Sequence, residues 1–274
     1  MQVTPPARRP GAVRRSAAPG TVLLAGAAVG VLGGLIGLGG AEFRLPLLVG
    51  LFGFAALQAV ILNKALSLVV VLCALPVRLV AVPGPELAPH ASAVLALLSG
   101  SLLGAWAGAG WATRLRTATL HRVLAVLLVL IATALLATHL GTVAPLDLPA
   151  PLRHVAGALT GLGIGVVAAV MGVAGGELLI PTFVLLYAVD ARTAGSLSLL
   201  VSLPTMLVAF ARYSRDRSFA VLRAERSFLA LMAVGSVAGT VIGGLLVGVV
   251  PDAVLLPALA AILVLSAGKV WRHP

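Results

Sequence analysis

Two glutamates stand inside apolar sequence, and they stand in the same setting. Glu42 lies within Gly37-Leu-Gly-Gly-Ala-Glu-Phe-Arg-Leu-Pro46, and Glu177 within Gly172-Val-Ala-Gly-Gly-Glu-Leu-Leu-Ile-Pro181. A carboxylate in such surroundings is costly and marks an ion or substrate pathway by default. Two chemistries suit the pair. Each is a proton carrier that couples transport to a proton gradient, or each caps the backbone amides of the helix that follows it. Gly37, Gly39 and Gly40, like Gly172, Gly175 and Gly176, disfavour continuous helix, while Pro46 and Pro181 suit the first turn of a new one. Each motif therefore predicts a helix break followed by a helix start, whose bare N–H groups bind anions. If the two converge, they form a pseudo-twofold anion site. The plainer alternative is that glycine and proline serve only close packing and a kink.

Three further polar residues belong to this group. Arg44 sits two residues past Glu42, where it attracts a substrate anion or neutralises its neighbour. Asn63 and Lys64 lie early in the next apolar run. Lys64 is a second anion-attracting charge or a side chain that snorkels to the interface. The second copy replaces these residues with Leu179, Ser198 and Leu199, with Ser196 close by. Any substrate role is thus unevenly shared between the copies.

The elements that must position these residues are themselves duplicated. Gly26, Gly30, Gly37, Gly40, Glu42 and Pro46 recur at a constant offset as Gly161, Gly165, Gly172, Gly175, Glu177 and Pro181. The same offset returns Gly100, Gly104 and Gly108 as Gly235, Gly239 and Gly243. These ladders put glycine on one helix face, which reads as close helix packing. The expected organisation is a disordered basic cytoplasmic tail over 1–19, a membrane repeat over 20–140, a linker over 141–154 and a second repeat over 155–274.

Composition places the repeats in a bilayer. Hydrophobic residues form 60% of the 274-residue chain and charged residues only 10%, far below the quarter or so usual in soluble domains. Apolar runs near 21–41, 57–82, 91–113, 123–138, 155–176, 193–211, 227–250 and 253–268 approach the length that crosses about 30 Å of hydrocarbon. No alternation suggests a barrel, so the fold class is all-α integral membrane, with about eight hydrophobic helices. The net charge of +11 sits in short clusters between these runs, which argues against a nucleic-acid partner. The lone Cys73 and the scattered His90, His121, His139, His154 and His273 give no metal-ligand spacing, and no cofactor motif is present.

Arginine placement sets the topology. The N-terminal arginines and the basic loops at 114–122 and 212–226 go to the cytoplasmic side, as does the C-terminus, while 83–90, 139–152 and 250–252 go outside. Matching loops of the two copies carry opposite charge bias, so the copies are inverted and each makes an odd number of crossings. Each motif segment then crosses twice or not at all: a short second span, or a re-entrant hairpin, favoured because about fourteen apolar residues of helix cover only about 21 Å.

The motif pair, Ala194-Gly195-Ser196-Leu197 and the glycine ladders together resemble the TauE/SafE sulfite exporter family over about residues 20–270. The resemblance implies a multi-pass cell-membrane permease moving small sulfur-containing anions such as sulfite or organosulfonates. Ala41 and Ala174 replace motif glycines, and Glu42 and Arg44 stand where the family often has apolar residues. The expected function is a proton-coupled, alternating-access carrier of a small anion, not an enzyme, with the bilayer as partner and a homo-oligomer compatible with the chain. An integral-membrane enzyme on a lipid-like substrate would favour His or Asp clusters on cytosolic loops, and an anion channel would not need broken inverted repeats.

Overall fold

The computed structural model describes residues 18–36, 40–81, 84–140, 146, 148–246 and 252–272. Gly37 and Gly39 and almost all of the basic tail lie outside the described residues, as does much of the linker. The first copy folds as α1 (Pro19–Ile36), α2 (Ala41–Gly50), α3 (Ala56–Ala81), the single turn α4 (Gly84–Leu87), α5 (Ala91–Ala112) and α6 (Thr117–Leu140). The second gives α7 (Ala150–Met171), α8 (Gly176–Tyr187), α9 (Ala191–Tyr213), the turn α10 (Val221–Ala224), α11 (Arg226–Leu245) and α12 (Asp252–Arg272). Helix starts at 41, 56, 91 and 117 recur at 176, 191, 226 and 252, each displaced by the same 135 residues. Ten apolar helices of ten or more residues appear among the described residues where eight were expected, because each motif segment divides into two. Five of them, Ala56–Pro76, Ala88–Ala112, Ala150–Met171, Arg192–Tyr213 and Arg226–Leu245, are long and apolar enough to cross a membrane.

Burial is the reverse of a water-soluble protein's. Leu24, Leu159, Leu245 and Leu265 are between 66% and 80% exposed, while Arg44 and Lys64 are completely enclosed. Leucine outward and charge inward is stable only where the surroundings are hydrocarbon, which gains nothing from hiding leucine and penalises an exposed charge. The chain is an all-helical, multi-pass membrane protein.

The copies are interleaved rather than set side by side. The two most extensive helix pairs join α1 to α11 and α5 to α7. A methyl group added at Gly104 would meet the carbonyl of Leu162, and one at Gly239 would meet the carbonyl of Ala27. The ladders therefore let backbones touch, as expected. Gly100 faces Ala158 and Gly108 faces Val166, so α5 and α7 run parallel; Gly26 facing Met232 and Gly34 facing Thr240 show the same for α1 and α11. By contrast α6 and α12, equivalent helices packed together, run antiparallel: Arg122 near the start of α6 stacks over Trp271 at the end of α12. Equivalent helices of opposite direction are what an inverted repeat requires.

The breaks after α1 and α7 also correspond. Gly40 and Gly175 precede α2 and α8 with φ of 68° and 87°, a left-handed conformation that glycine adopts without steric cost. Gly40 sits against Val29 and Gly33, and Gly175 against Ile164 and Ala168, each pair seven and eleven residues back. The chain thus folds back along the helix it has just left. With ten and twelve residues, α2 and α8 span about 15 and 18 Å, too little to cross.

Candidate functional site

The helix starts differ from expectation in one respect. The new helices begin at Ala41 and Gly176, five residues before the prolines, so Pro46 and Pro181 lie inside α2 and α8 rather than in their first turns. Three-residue bonds and tight packing tolerate a proline there when neighbouring helices support the segment. Glu42 and Glu177 consequently occupy the second helical position, within the first turn instead of ahead of it. The first amides bonded by the chain are those of Phe43 and Arg44 to Gly40, and those of Leu178 and Leu179 to Gly175. The N–H groups of the two preceding residues in each helix, Gly176 and Ala41 among them, are left outside the helical ladder.

These two first turns meet through their acids. The carboxyls of Glu42 and Glu177 interact with each other, and each also lies against the N–H of its own residue. Yet Oε2 of Glu42 and both oxygens of Glu177 meet no donor in hydrogen-bond geometry among the described residues. Proximity and burial are therefore the firm observations; a good hydrogen bond is not among them. A carboxylate in a helix's first turn is favoured by the helix dipole, which supports the bland reading, while orphaned buried oxygens are what that reading leaves unexplained.

Two cations complete the group. Arg44, on α2, acts on Glu42, and its Nη1 makes a long bond of 3.4 Å to Oδ1 of Asn63. Lys64 acts on Glu177. Its ammonium donates to the carbonyls of Ala168 and Val173 at 2.8 and 2.6 Å. Lys64 does not snorkel: nine residues into α3 it is wholly enclosed and faces the end of α7. A positive charge on the last carbonyls of a helix satisfies orphan acceptors and complements the dipole.

Asn63 ties the copies together. Its Nδ2 donates to Ala41 at 3.0 Å and to Met171 at 3.1 Å, joining the motif of one copy to the break of the other. Ser67 reaches Gly172 at 3.3 Å, and the hydroxyl of Tyr213 donates to Ala169 at 2.9 Å. Tyr213 was not singled out from the sequence; its signal was a polar group at the end of an apolar run.

Ser196 and Ser198 do not join the cluster through any such bond. Ser198 donates to Gly195 of its own helix at 2.8 Å, and the enclosed hydroxyls of Ser196 and Ser202 have no partner among the described residues. Ser101 and Thr205, also overlooked, share a 2.7 Å bond between α5 and α9. No group of three metal-ligating side chains occurs among the described residues.

Together these features define a class: a helical membrane protein of two inverted, interleaved copies that encloses paired acids and paired bases at broken helices. The model of the family described as Sulfite exporter TauE/SafE matches residues 3–135, which takes in the first copy as far as α6. This is the family the motifs resemble, and it is a family of membrane transporters. None of the curated proteins or solved structures compared matches the chain.

Proposed function

We propose that the protein is a secondary carrier of small anions, of the sulfite and organosulfonate class, coupled to protons. The observation that carries this reading is that Glu42, Arg44 and Lys64 are enclosed together with the carboxyl oxygens of Glu177, where two helix starts meet α3. Arg44 and the unladdered N–H groups of α2 and α8 supply the attraction for an oxyanion. Glu42 and Glu177 supply groups that take up and release protons beside it. The inverted copies supply two equivalent half-sites, a geometry suited to opening alternately to either side.

The direct test is counterflow. Purified protein in liposomes preloaded with sulfite, sulfate, an organosulfonate or a carboxylate is expected to take up labelled sulfite or sulfonate at least tenfold faster than empty liposomes. Equal rates for every anion would refute the reading. Glu42→Gln and Glu177→Gln should lower proton-driven uptake at least tenfold with the protein still inserted; unchanged dependence on pH in both variants would remove the acids from the mechanism.

A further inference from the structure

The four enclosed charges add up to nothing. Glu42 and Glu177 are two acids and Arg44 and Lys64 two bases, so with all four ionised the charges cancel. Arg44 acts on Glu42, Lys64 on Glu177, and the acids on each other. The surrounding helices bring no further charge to this level. α1, α5 and, beyond Glu177, α8 contain no acid or base. On α3 the remaining base is Arg78; on α6 they are His121, Arg122 and His139; on α7, Arg153 and His154; on α9, Arg192 and Arg212. Glu86 and Arg223 lie in the single turns α4 and α10; Arg226 on α11, and Asp252, Lys269 and Arg272 on α12, complete the set, and those on the long helices all lie within six residues of a helix end. The hydroxyl of Tyr213 is engaged with the carbonyl of Ala169.

Such a balance restricts what can enter. A net charge in a membrane interior is expensive, so an anion cannot simply be added to a neutral group. Arg44 keeps its charge, since guanidinium does not lose a proton in proteins. Lys64 donates to two carbonyls, which fixes where its nitrogen sits. Glu42 and Glu177 have three enclosed carboxyl oxygens that meet no donor among the described residues, and they are the groups assigned to take up a proton. Each carboxylate that takes up a proton becomes a neutral acid and releases one positive charge of the pair for the anion.

On the carrier reading above, we infer that the site moves anions and protons in electroneutral proportion, with one proton on Glu42 or Glu177 for each negative charge of the substrate, up to two. Anions of charge −1 and −2 are therefore substrates of the same site, and trivalent anions are not.

The test uses the full-length protein in liposomes with labelled methanesulfonate and sulfate, whose charges of −1 and −2 do not change between pH 5 and 8. Net accumulation is read under a gradient of one pH unit without a potential, then under a potassium diffusion potential of 100 mV, interior positive, without a pH gradient. The transported probe should accumulate about tenfold per charge in the first arm and not at all in the second. An uncompensated anion would instead accumulate on the order of 50-fold per charge in the second arm, since 100 mV acts with about 2.3 kcal/mol on each charge. The Glu42→Gln/Glu177→Gln double variant should lose accumulation driven by pH while the protein remains inserted. Voltage-driven accumulation in the wild type, pH-driven accumulation in the double variant, or counterflow in the wild type with no pH-driven accumulation would each overturn the electroneutral inference alone. Absence of both uptake and counterflow for these probes and for sulfite would overturn the anion-carrier reading beneath it.

Discussion

Lys64 and Leu199 hold equivalent positions in the two copies, and only the lysine meets helix-end carbonyls. Its task is at least partly structural, which the sequence could not display because the acceptors lie more than a hundred residues away. Lys64→Met should leave the Val173 carbonyl without its donor, while Ala168 keeps the N–H of Val173, at a cost of about 1–3 kcal/mol. The expected result is a lower unfolding midpoint of the detergent-solubilised protein; an unchanged midpoint would deny the cap. Asn63→Ser, which copies the second repeat, should lower the midpoint too, because serine cannot span from Ala41 to Met171. What was legible at this scale was the identity of the chemistry. Two acids inside apolar sequence announced themselves, and they do meet. What was not legible was the pairing of Lys64 with Glu177, which tertiary structure brings about, whereas Arg44 acts on Glu42 two residues away.

Among elements, the breaks were readable and their register was not. Glycine clusters located the interruptions, but proline at the first turn misplaced the helix starts, which left-handed Gly40 and Gly175 set five residues before the prolines. Matching positions beyond the short helices adopt positive φ as well: Gly53 at 70° and Ala188 at 53°. Alanine is strained there and glycine is not, so Ala188→Gly should stabilise the protein by about 1 kcal/mol, seen as a raised unfolding midpoint. The ladders offer a matched pair of substitutions. Gly104→Ala drives a methyl into the Leu162 carbonyl, an overpacking of about 1–3 kcal/mol, whereas Gly163 on α7 faces open space and Gly163→Ala should be neutral or stabilising. Equal loss of folded protein in both would show that the ladder does not discriminate by contact.

At the scale of the molecule, arginines and glycines told the topology together. Arg212 at the end of α9 and Arg215 just beyond it stack on Trp106 late in α5, and Arg122 stacks on Trp271, so these basic stretches share one end of the bundle, as their charge implied. Reporter fusions should place 212–226 in the cytoplasm and 83–90 outside; a common side for both would refute the orientation. The interleaving was less legible, because a glycine ladder declares that a backbone comes close without saying whose. Since α1 packs on α11 and α5 on α7, neither half encloses its own glycine face. Halves divided near residue 147 and produced together should copurify, while each alone should be degraded; a stable single half would contradict the pairing.

The union of α1 with α11 also dictates a schedule for synthesis. When α1 emerges from the ribosome its partner, beginning at Arg226, has yet to be translated. At about 5–20 residues per second the wait is roughly 10–40 s. Through that interval the glycine face of α1 must lie against lipid or against the insertion machinery, and the last helices to be made close the structure around the first.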